Sequence, residues 1–162
     1  MGKKRMQGLY TVEFALVGLV LFVLLFGVLE MGRLYFTVNA LNEVVRRGAR
    51  LAAVCTVTDE DIRQRAIFNA AGTGGVGESQ LVRGLETADV KLSYLDENGL
   101  PVSAPSTTDF SKIRYVRLVI DQFSFSLLIP GFGGGVTLPT FRAILPRESL
   151  GYDGATEVPT RC

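Results

Sequence analysis

A glutamate near the start of a long apolar segment is the side chain of this sequence with the clearest chemical consequence. Glu13 stands five residues after Gly8, at the beginning of an otherwise apolar run. A charged carboxylate in lipid costs roughly 2.5–3.5 kcal/mol at mid-bilayer on insertion scales, and less nearer the interface. An interaction made elsewhere should offset that cost. The placement suggests a membrane segment that is processed at Gly8 and then assembles with copies of itself or with related helices.

Catalytic and metal-binding chemistry is not indicated by the other residues. The sequence has no histidine, which excludes Ser-His and Cys-His catalysis and a His-based metal site. The acidic run 59–61 lacks the spaced oxygens of a calcium loop, and acids in a first helical turn explain it. The run 72–77 has the glycine spacing of a phosphate-binding loop, but Glu78 stands at the lysine position and would repel phosphate. We expect no enzyme activity, no cofactor and no small-molecule substrate.

The charge balance argues against nucleic acid as a partner. The net charge is +1, from 17 basic and 16 acidic side chains. Removal of residues 1–8 would take away three of the basic side chains, Lys3, Lys4 and Arg5, and leave the balance slightly acidic. Domains that bind nucleic acid usually carry a basic surface, which this composition does not supply.

The apolar run is long enough to span a bilayer. Between Leu9 and Leu29 the ionisable side chains are Tyr10 and Glu13, and at about 1.5 Å per residue the run reaches about 30 Å. A cleaved secretory signal peptide is the alternative, with the basic residues 3–5 at its start. The run exceeds the usual length of a signal-peptide core, however, and no A-x-A-like site follows. We expect a retained single-pass anchor with its N-terminus in the cytoplasm and the rest outside.

The helix is expected to continue beyond the membrane as far as about Ala53. Apolar residues recur there at spacings of three or four, the pattern of one helix face. Glu43 precedes Arg47 by four residues, the favourable order for an ion pair. Gly48 is tolerated at a cost of roughly 1 kcal/mol relative to alanine. The predicted apolar stripe comprises Met31, Leu34, Tyr35, Val38, Leu41, Val45, Ala49, Ala52 and Ala53.

The remaining residues predict a compact α+β unit. Thr58 followed by three acidic residues is typical of a helix N-cap and first turn, and a short helix should follow through residues 62–70. Alternating polar and apolar residues predict strands, with a tight turn at Asp96–Gly99. Pro139 would confine the last strand to an edge or to a strand start. The expected strands cover residues 89–95, 113–125 and 136–145.

The predicted fold class is therefore α+β. A long N-terminal helix should pack on a small antiparallel sheet, with one short extra helix. Glycine-rich loops are expected at residues 72–77 and 131–135. The chain should divide into a basic cytoplasmic leader, a transmembrane helix, an amphipathic continuation and an extracytoplasmic domain, at residues 1–8, 9–30, 31–55 and 56–162.

The two cysteines are the second group of residues whose side chains could do chemistry, because they could form a disulfide. Cys55 and Cys162 are both expected outside the cytoplasm, where disulfides persist. A bridge would close a loop of roughly 100 residues and stabilise the fold by up to about 4.7 kcal/mol in the chain-entropy treatment. It would also hold the polar segment from Gly151 to Arg161. The alternative is one buried thiol and one thiol at a frayed terminus, and we favour the bridge.

The long helix resembles a known family. After a short basic leader, Gly8-Leu9-Tyr10-Thr11-Val12-Glu13-Phe14 resembles the class III signal of type IV-like prepilins. Over residues 7–55 the sequence is similar to the TadE-like minor pilins of tight-adherence (Tad/Flp) systems. The resemblance is carried by Gly8 to Val17, Phe26 to Leu34, Asn39-Ala40-Leu41 and Arg47 to Ala52. It is weaker beyond residue 55, where Leu145 to Gly151 is similar to the ends of some TadE-like proteins.

The resemblance implies roles for the N-terminal residues. A prepilin peptidase would cut between Gly8 and Leu9 and make Leu9 the new N-terminus. Glu13 would pair with the α-amino group of a neighbouring subunit, as in related pilins. Glu30 is a second carboxylate that is also seen in TadE-like sequences, and the sequence indicates no role for it beyond an interfacial position. The implied partners are the peptidase, other pilin subunits, the Tad inner-membrane assembly platform and membrane lipid.

Two classes of function stay open at this point. In the first, the protein is a non-enzymatic minor pilin or pseudopilin of the bacterial inner membrane that takes part in assembly of a Tad/Flp-type pilus, which serves adhesion and secretion. In the second, it is a signal-anchored envelope protein whose extracytoplasmic domain binds a partner, with Glu13 incidental. The mature N-terminus discriminates them, since only the first requires it to be Leu9.

Overall fold

One long helix organises the fold. Helix α1 runs from Lys4 to Val54, 51 residues without a break, or about 77 Å at 1.5 Å per residue. No proline interrupts this stretch, and the predicted continuous helix is confirmed.

The structure is a computed structural model that describes part of the chain, namely residues 4–70, 77–106, 109–128, 134–153 and 161–162. Several sequence predictions fall mostly or wholly outside these ranges. They are the glycine-rich loops at 72–77 and 131–135, the start of the basic leader, and most of the polar segment between Gly151 and Arg161.

The N-terminal half of α1 is an exposed apolar rod. From Leu9 to Leu29 its large apolar side chains are exposed. A window of 18 residues has a mean hydropathy of 2.8, and none of it is buried. The helix is thus long and apolar enough to cross a membrane, which fits a single-pass anchor.

The C-terminal half of α1 packs on an antiparallel sheet. The strands of the described residues are β1 (Val90–Leu95), β2 (Tyr115–Ile120), β3 (Ser124–Ser126), β4 (Gly135–Thr137) and β5 (Phe141–Pro146). The sheet against α1 has three strands in the order β1-β2-β5, and β3 and β4 form a separate two-stranded ribbon. The predicted α+β class and antiparallel sheet are confirmed, whereas the ribbon was not predicted.

The strand predicted over 113–125 is divided in the structure. Strand β2 ends at Ile120, and Gln122 then adopts a positive φ of 52°, so the chain turns into β3. Ile120 and Phe123 are both buried, while the two residues between them, Asp121 and Gln122, are exposed, so the alternation shifts by one residue at the turn. The prediction of a single strand was wrong because burial alone does not keep a backbone extended.

The strand predicted over 136–145 is also divided, into β4 and β5. Pro139 has no N–H to donate to a ladder, and the preceding N–H, that of Leu138, donates to the carbonyl of Phe123 at 2.8 Å. Strand β5 begins only at Phe141, which pairs with Ile120 at the edge of the sheet. Pro139 thus precedes an edge strand, as expected, but the single strand was wrong.

The apolar stripe of α1 is confirmed except at two of its early residues. Met31 and Tyr35 are exposed, while Val44, which the stripe omitted, is fully buried. Leu34 and Val38 are partly buried and pack against the core, whose buried α1 residues begin at Ala40. The α1 residues in the core are Ala40, Leu41, Val44, Val45, Ala49, Ala52 and Ala53.

Gly48 marks a close approach of α1 to β2 and to the short helix α2 (Asp61–Ala66). A Cβ at this position would lie 2.5 Å from Cδ1 of Leu118 and 2.8 Å from Cβ of Ala66. Such distances are far inside ordinary carbon contacts of about 3.5–4.0 Å. The packing therefore requires this glycine, which the sequence pattern treated as merely tolerated.

Arg47 has a different partner from the one predicted. No ion pair of the described residues joins it to Glu43, and its guanidinium lies 5.1 Å from the ring centroid of Phe68. Phe68 is half-buried, and a cation over an aromatic ring contributes at least about 0.5–1 kcal/mol, against about 0.3–0.5 kcal/mol for an exposed helical ion pair. The ring contact also ties the turn after α2 to α1.

Helix α2 is shorter than predicted and begins differently. Thr58 is not its N-cap, since it has a φ of 63° and its N–H donates to the hydroxyl of Tyr94 at 3.2 Å. The side-chain oxygen at this turn comes instead from Asp59, whose Oδ1 accepts the N–H of Asp61 at 3.0 Å. One of the three acidic residues thus has a structural role at the start of α2.

Candidate functional site

Glu13 lies on the exposed half of α1, and within the described residues its carboxylate has no partner. Tyr10 and Val17 share its helix face at spacings of three and four residues, and both are exposed. The carboxylate therefore stands on an apolar surface, and no described group neutralises it.

Gly8 and Leu9, the predicted cleavage position, lie near the start of α1. Both are exposed, and a Cβ at Gly8 would meet nothing within 4 Å. Glu13 follows Leu9 by four residues, about 6 Å along the helix axis. The structure thus places the predicted scissile bond and the carboxylate about one turn apart on one accessible end of the helix.

Glu30 contrasts with Glu13 because its carboxylate is buried and paired. The residue is 8% exposed. Its Oε1 accepts a hydrogen bond from Nη1 of Arg33 at 2.7 Å and one from the backbone N–H of Leu128 at 3.3 Å. Glu30 therefore joins α1 to the segment after β3, a role that the sequence did not indicate.

Arg33 extends this junction to the β3–β4 ribbon. Its guanidinium lies 5.0 Å from the ring centroid of Phe125 in β3 while it pairs with Glu30. The i,i+3 spacing of the two charges could have indicated the ion pair from the sequence. The contact with Leu128, 98 residues away, has no local signal.

The structure joins Cys55 and Cys162 in a disulfide across 107 residues of sequence, with the Cα atoms 5.5 Å apart. This is the pairing favoured from the sequence. Cys55 directly follows α1 and is buried. The N–H of Cys162 donates to Oδ2 of Asp59 at 2.8 Å, so one carboxylate contacts both Cys162 and the start of α2.

The last carbonyls of α1 are capped by residues 148–151. The N–H groups of Glu148 and Leu150 donate to the carbonyl of Ala53, both at 3.1 Å, and that of Gly151 donates to the carbonyl of Val54 at 2.6 Å. Helix-terminal carbonyls have no partner within the helix. Gly151 has a φ of 81°, and a Cβ there would lie 2.6 Å from the backbone after α1, so the cap requires glycine.

Tyr94 lies in the core near the end of α1, in the same cluster of buried residues as Cys55. It is buried, and its hydroxyl accepts the N–H of Thr58. Burial raises the pKa of the Tyr94 hydroxyl above its ordinary value, and the charge of Asp59 acts in the same direction, while the hydrogen bond from Thr58 and the nearby Arg63 oppose both. The neutral phenol is therefore the form that this site stabilises.

In the part of the chain that the structure describes, one apolar helix fits a membrane anchor and continues into the core of a small α+β domain. Near its start it carries Glu13, whose carboxylate has no partner among the described residues. A family model described as TadE-like protein matches residues 8–50. The resemblance predicted from Gly8, Glu13 and the helix after them is thus confirmed, and the chain is similar to TadE-like proteins over that segment.

The match includes Glu13 and Glu30 and ends within α1, before the residues of the sheet. Neither the comparison with curated proteins nor that with solved structures gives a match.

Proposed function

We propose that this protein is a minor pilin or pseudopilin that is processed at the inner membrane and takes part in assembly of a Tad/Flp-type pilus. The observation that carries the proposal is the contrast between the two carboxylates of α1, Glu13 and Glu30, that lie within or next to the apolar run. Glu30 is buried and paired within the chain, whereas Glu13 is exposed on an apolar helix and unpaired among the described residues. The TadE-like match over residues 8–50 supports it. The proposed role is non-catalytic.

Processing would create the missing countercharge. A prepilin peptidase would hydrolyse the peptide bond between Gly8 and Leu9, which leaves a carboxylate on Gly8 and a protonated α-amino group on Leu9. Helix α1 runs through this bond, so its first turns must unwind for a protease to reach an extended backbone. Gly8 favours that step because glycine weakens a helix by about 1 kcal/mol relative to alanine.

Assembly would then offset the cost of Glu13 in lipid. In the proposed filament, the α-amino group of one Leu9 pairs with Glu13 of a neighbouring subunit. A charge that is unpaired in the monomer and paired in the assembly shifts the equilibrium toward assembly. The neighbours would be other pilin subunits on the Tad inner-membrane platform, with the N-terminus cytoplasmic and the α+β domain extracytoplasmic.

The mature N-terminus is the direct test of processing. Mass spectrometry of the N-terminal peptide from membranes should find Leu9 as the first residue in cells with an active prepilin peptidase, and residues 1–8 attached in cells without one. Residues 1–8 still attached in the presence of the active peptidase would refute the pilin assignment and favour a signal-anchored envelope protein.

Glu13→Gln tests assembly separately from processing, and Glu30→Gln is its matched control. The first variant should be cut normally but recover at least about tenfold less pilin partner on co-isolation, which corresponds to about 1.4 kcal/mol of pairing energy. The control should keep partner recovery, because its carboxylate is engaged within the chain. Equal recovery from Glu13→Gln and the wild type would contradict the proposed role of Glu13.

A further inference from the structure

A groove lies where α1 leaves the apolar segment and the α+β domain begins. Its volume is about 730 Å³, within the usual range of ligand sites. One wall is formed by α1 between residues 28 and 37, and the other by residues 81–83 and 125–128. Glu30 holds the second wall against the helix through the N–H of Leu128.

The groove lies along α1 directly after the apolar run that is long enough to span a bilayer. The apolar run from Leu9 to Leu29 accounts for about 30 Å, the full hydrocarbon thickness. If this run spans the membrane, residues 28–37 lie at the level of the lipid head groups on the side of the domain. The groove thus continues directly from helix surface that faces lipid.

The domain contributes apolar side chains at this level. Leu81 and Leu128 line the groove and are 46% and 54% exposed. They lie on the domain side, opposite the exposed Leu29 of α1. Exposed apolar side chains that adjoin a helix long enough to span a membrane form a surface that lipid can cover.

Two cations flank these apolar side chains. Arg33 and Arg83 both line the groove, and Arg83 is exposed, with no ion pair to any acid of the described residues. Arginine matches the geometry of phosphate oxygens, and basic side chains near a membrane surface are attracted to anionic head groups. The charge complements a phosphate, and the leucines complement an acyl chain.

We propose that this groove holds a phospholipid of the leaflet nearer the domain. Its phosphate lies against Arg83 and the outer side of Arg33, and one acyl chain runs along Leu29, Leu81 and Leu128. The lipid thereby seats the α+β domain on the membrane at a fixed height. The inference rests on membrane insertion of α1 and is independent of processing or pilus assembly.

Tryptophan fluorescence provides the test, because the sequence contains no tryptophan. Leu81→Trp and Leu128→Trp are prepared in the full chain and inserted into phosphatidylglycerol vesicles with or without bromine on the upper acyl chain. Leu100→Trp is the matched control. Leu100 is 61% exposed and follows the end of β1 whose Tyr94 packs with Ala52 of α1, at the far end of the domain from the groove.

Brominated lipid should lower the emission of both groove probes at least about twofold, as expected for indoles within the interface, and leave the control unchanged. Arg83→Glu, combined with Leu128→Trp, should weaken the quenching. Probes at 81 and 128 that respond no more than the control would overturn the proposal. Emission from these probes that shifts with the protein-to-lipid ratio but is not quenched by bromine would also overturn it. That result would assign the groove to a second copy of the chain.

The same vesicles distinguish lipid from free phosphate. Added inorganic phosphate should not reduce the quenching, because the acyl chain holds the lipid in place. Loss of quenching with free phosphate, or quenching that Arg83→Glu leaves unaltered, would overturn the assignment of the head group to Arg83. A failure of the pilin proposal would leave all these results unaffected.

Discussion

Replacement of Gly48 by alanine is expected to destabilise the domain, although helix propensity alone predicts the opposite. In a free helix, alanine is about 1 kcal/mol more favourable than glycine. In this structure, the added Cβ would lie 2.5 Å from Cδ1 of Leu118 and 2.8 Å from Cβ of Ala66. The sign of the effect therefore depends on whether these two neighbours can move.

Neither neighbour moves at low cost. Leu118 is fully buried in the central strand of the sheet, so a rotated side chain would meet other core atoms. Ala66 has no side-chain torsion to adjust, and its Cβ can shift only with the backbone of α2. Overpacking of a filled core typically costs about 1–3 kcal/mol. After the propensity gain of about 1 kcal/mol is subtracted, we expect the free energy of unfolding to fall by up to about 2 kcal/mol.

Urea unfolding of the full chain in non-ionic detergent micelles measures this change. Near-UV circular dichroism reports the packed core of the domain, independently of the membrane half of α1. Gly32→Ala is the matched control, because it lies in the same helix and a Cβ there would meet nothing within 4 Å. This control should be neutral or stabilised by up to about 1 kcal/mol.

A Gly48→Ala protein as stable as Gly32→Ala would refute the packing argument. A double-mutant cycle with Ala66→Gly sharpens the test, since removal of the Cβ of Ala66 relieves one of the two close contacts. The Gly48→Ala substitution should then cost less in the Ala66→Gly background than in the wild type. Equal costs in both backgrounds would mean that the contact with Ala66 does not cause the destabilisation by Gly48→Ala.

Two further predictions concern the far end of the domain. Cys162→Ser, or reduction of the disulfide, should lower the free energy of unfolding by about 2–5 kcal/mol, since the bridge closes a loop of 107 residues; an unfolding midpoint that reductant leaves unchanged would contradict this. Burial raises the pKa of Tyr94, so the folded state retains the phenolic proton more strongly than the unfolded chain does. This contribution to stability is therefore present below about pH 10 and is lost as the pH rises above that value. Tyr94→Phe should cost about 0.5–1.5 kcal/mol at neutral pH, since the N–H of Thr58 loses its acceptor, and should show a shallower loss of stability between about pH 9 and 11. Identical alkaline slopes for the two proteins would show that Tyr94 does not contribute.

The features of this fold that were predicted from the sequence are those with a local signal. Helix α1 follows from an apolar run joined to a stripe at helical spacing, and β1 follows from strict alternation that starts at Val90. The turn at Asp96–Gly99 also has a local origin, since Gly99 supplies the positive φ and the Asp96 side chain accepts the N–H groups that follow.

The features that were missed arise from contacts between distant residues. The division of the predicted strand at Gln122 returns Phe123 to the core three residues after Ile120, and the prediction of a single strand overlooked this shift in the alternation. The burial of Glu30 depends on Leu128, 98 residues away, and the requirement for Gly48 depends on Leu118 in a strand that packs across the helix. Each of these residues looks ordinary within its own segment.

The closure of the domain at the end of α1 has a mechanical consequence for a helix under tension. The disulfide fastens Cys55 and Cys162 with their Cα atoms 5.5 Å apart, and residues 148–151 bind the helix end at the same place. A pull along α1 therefore reaches the domain at the point where Cys55 and Cys162 are joined, so it cannot draw out the chain between these two cysteines. The helix carries the load, and the sheet lies beside it, outside the line of force.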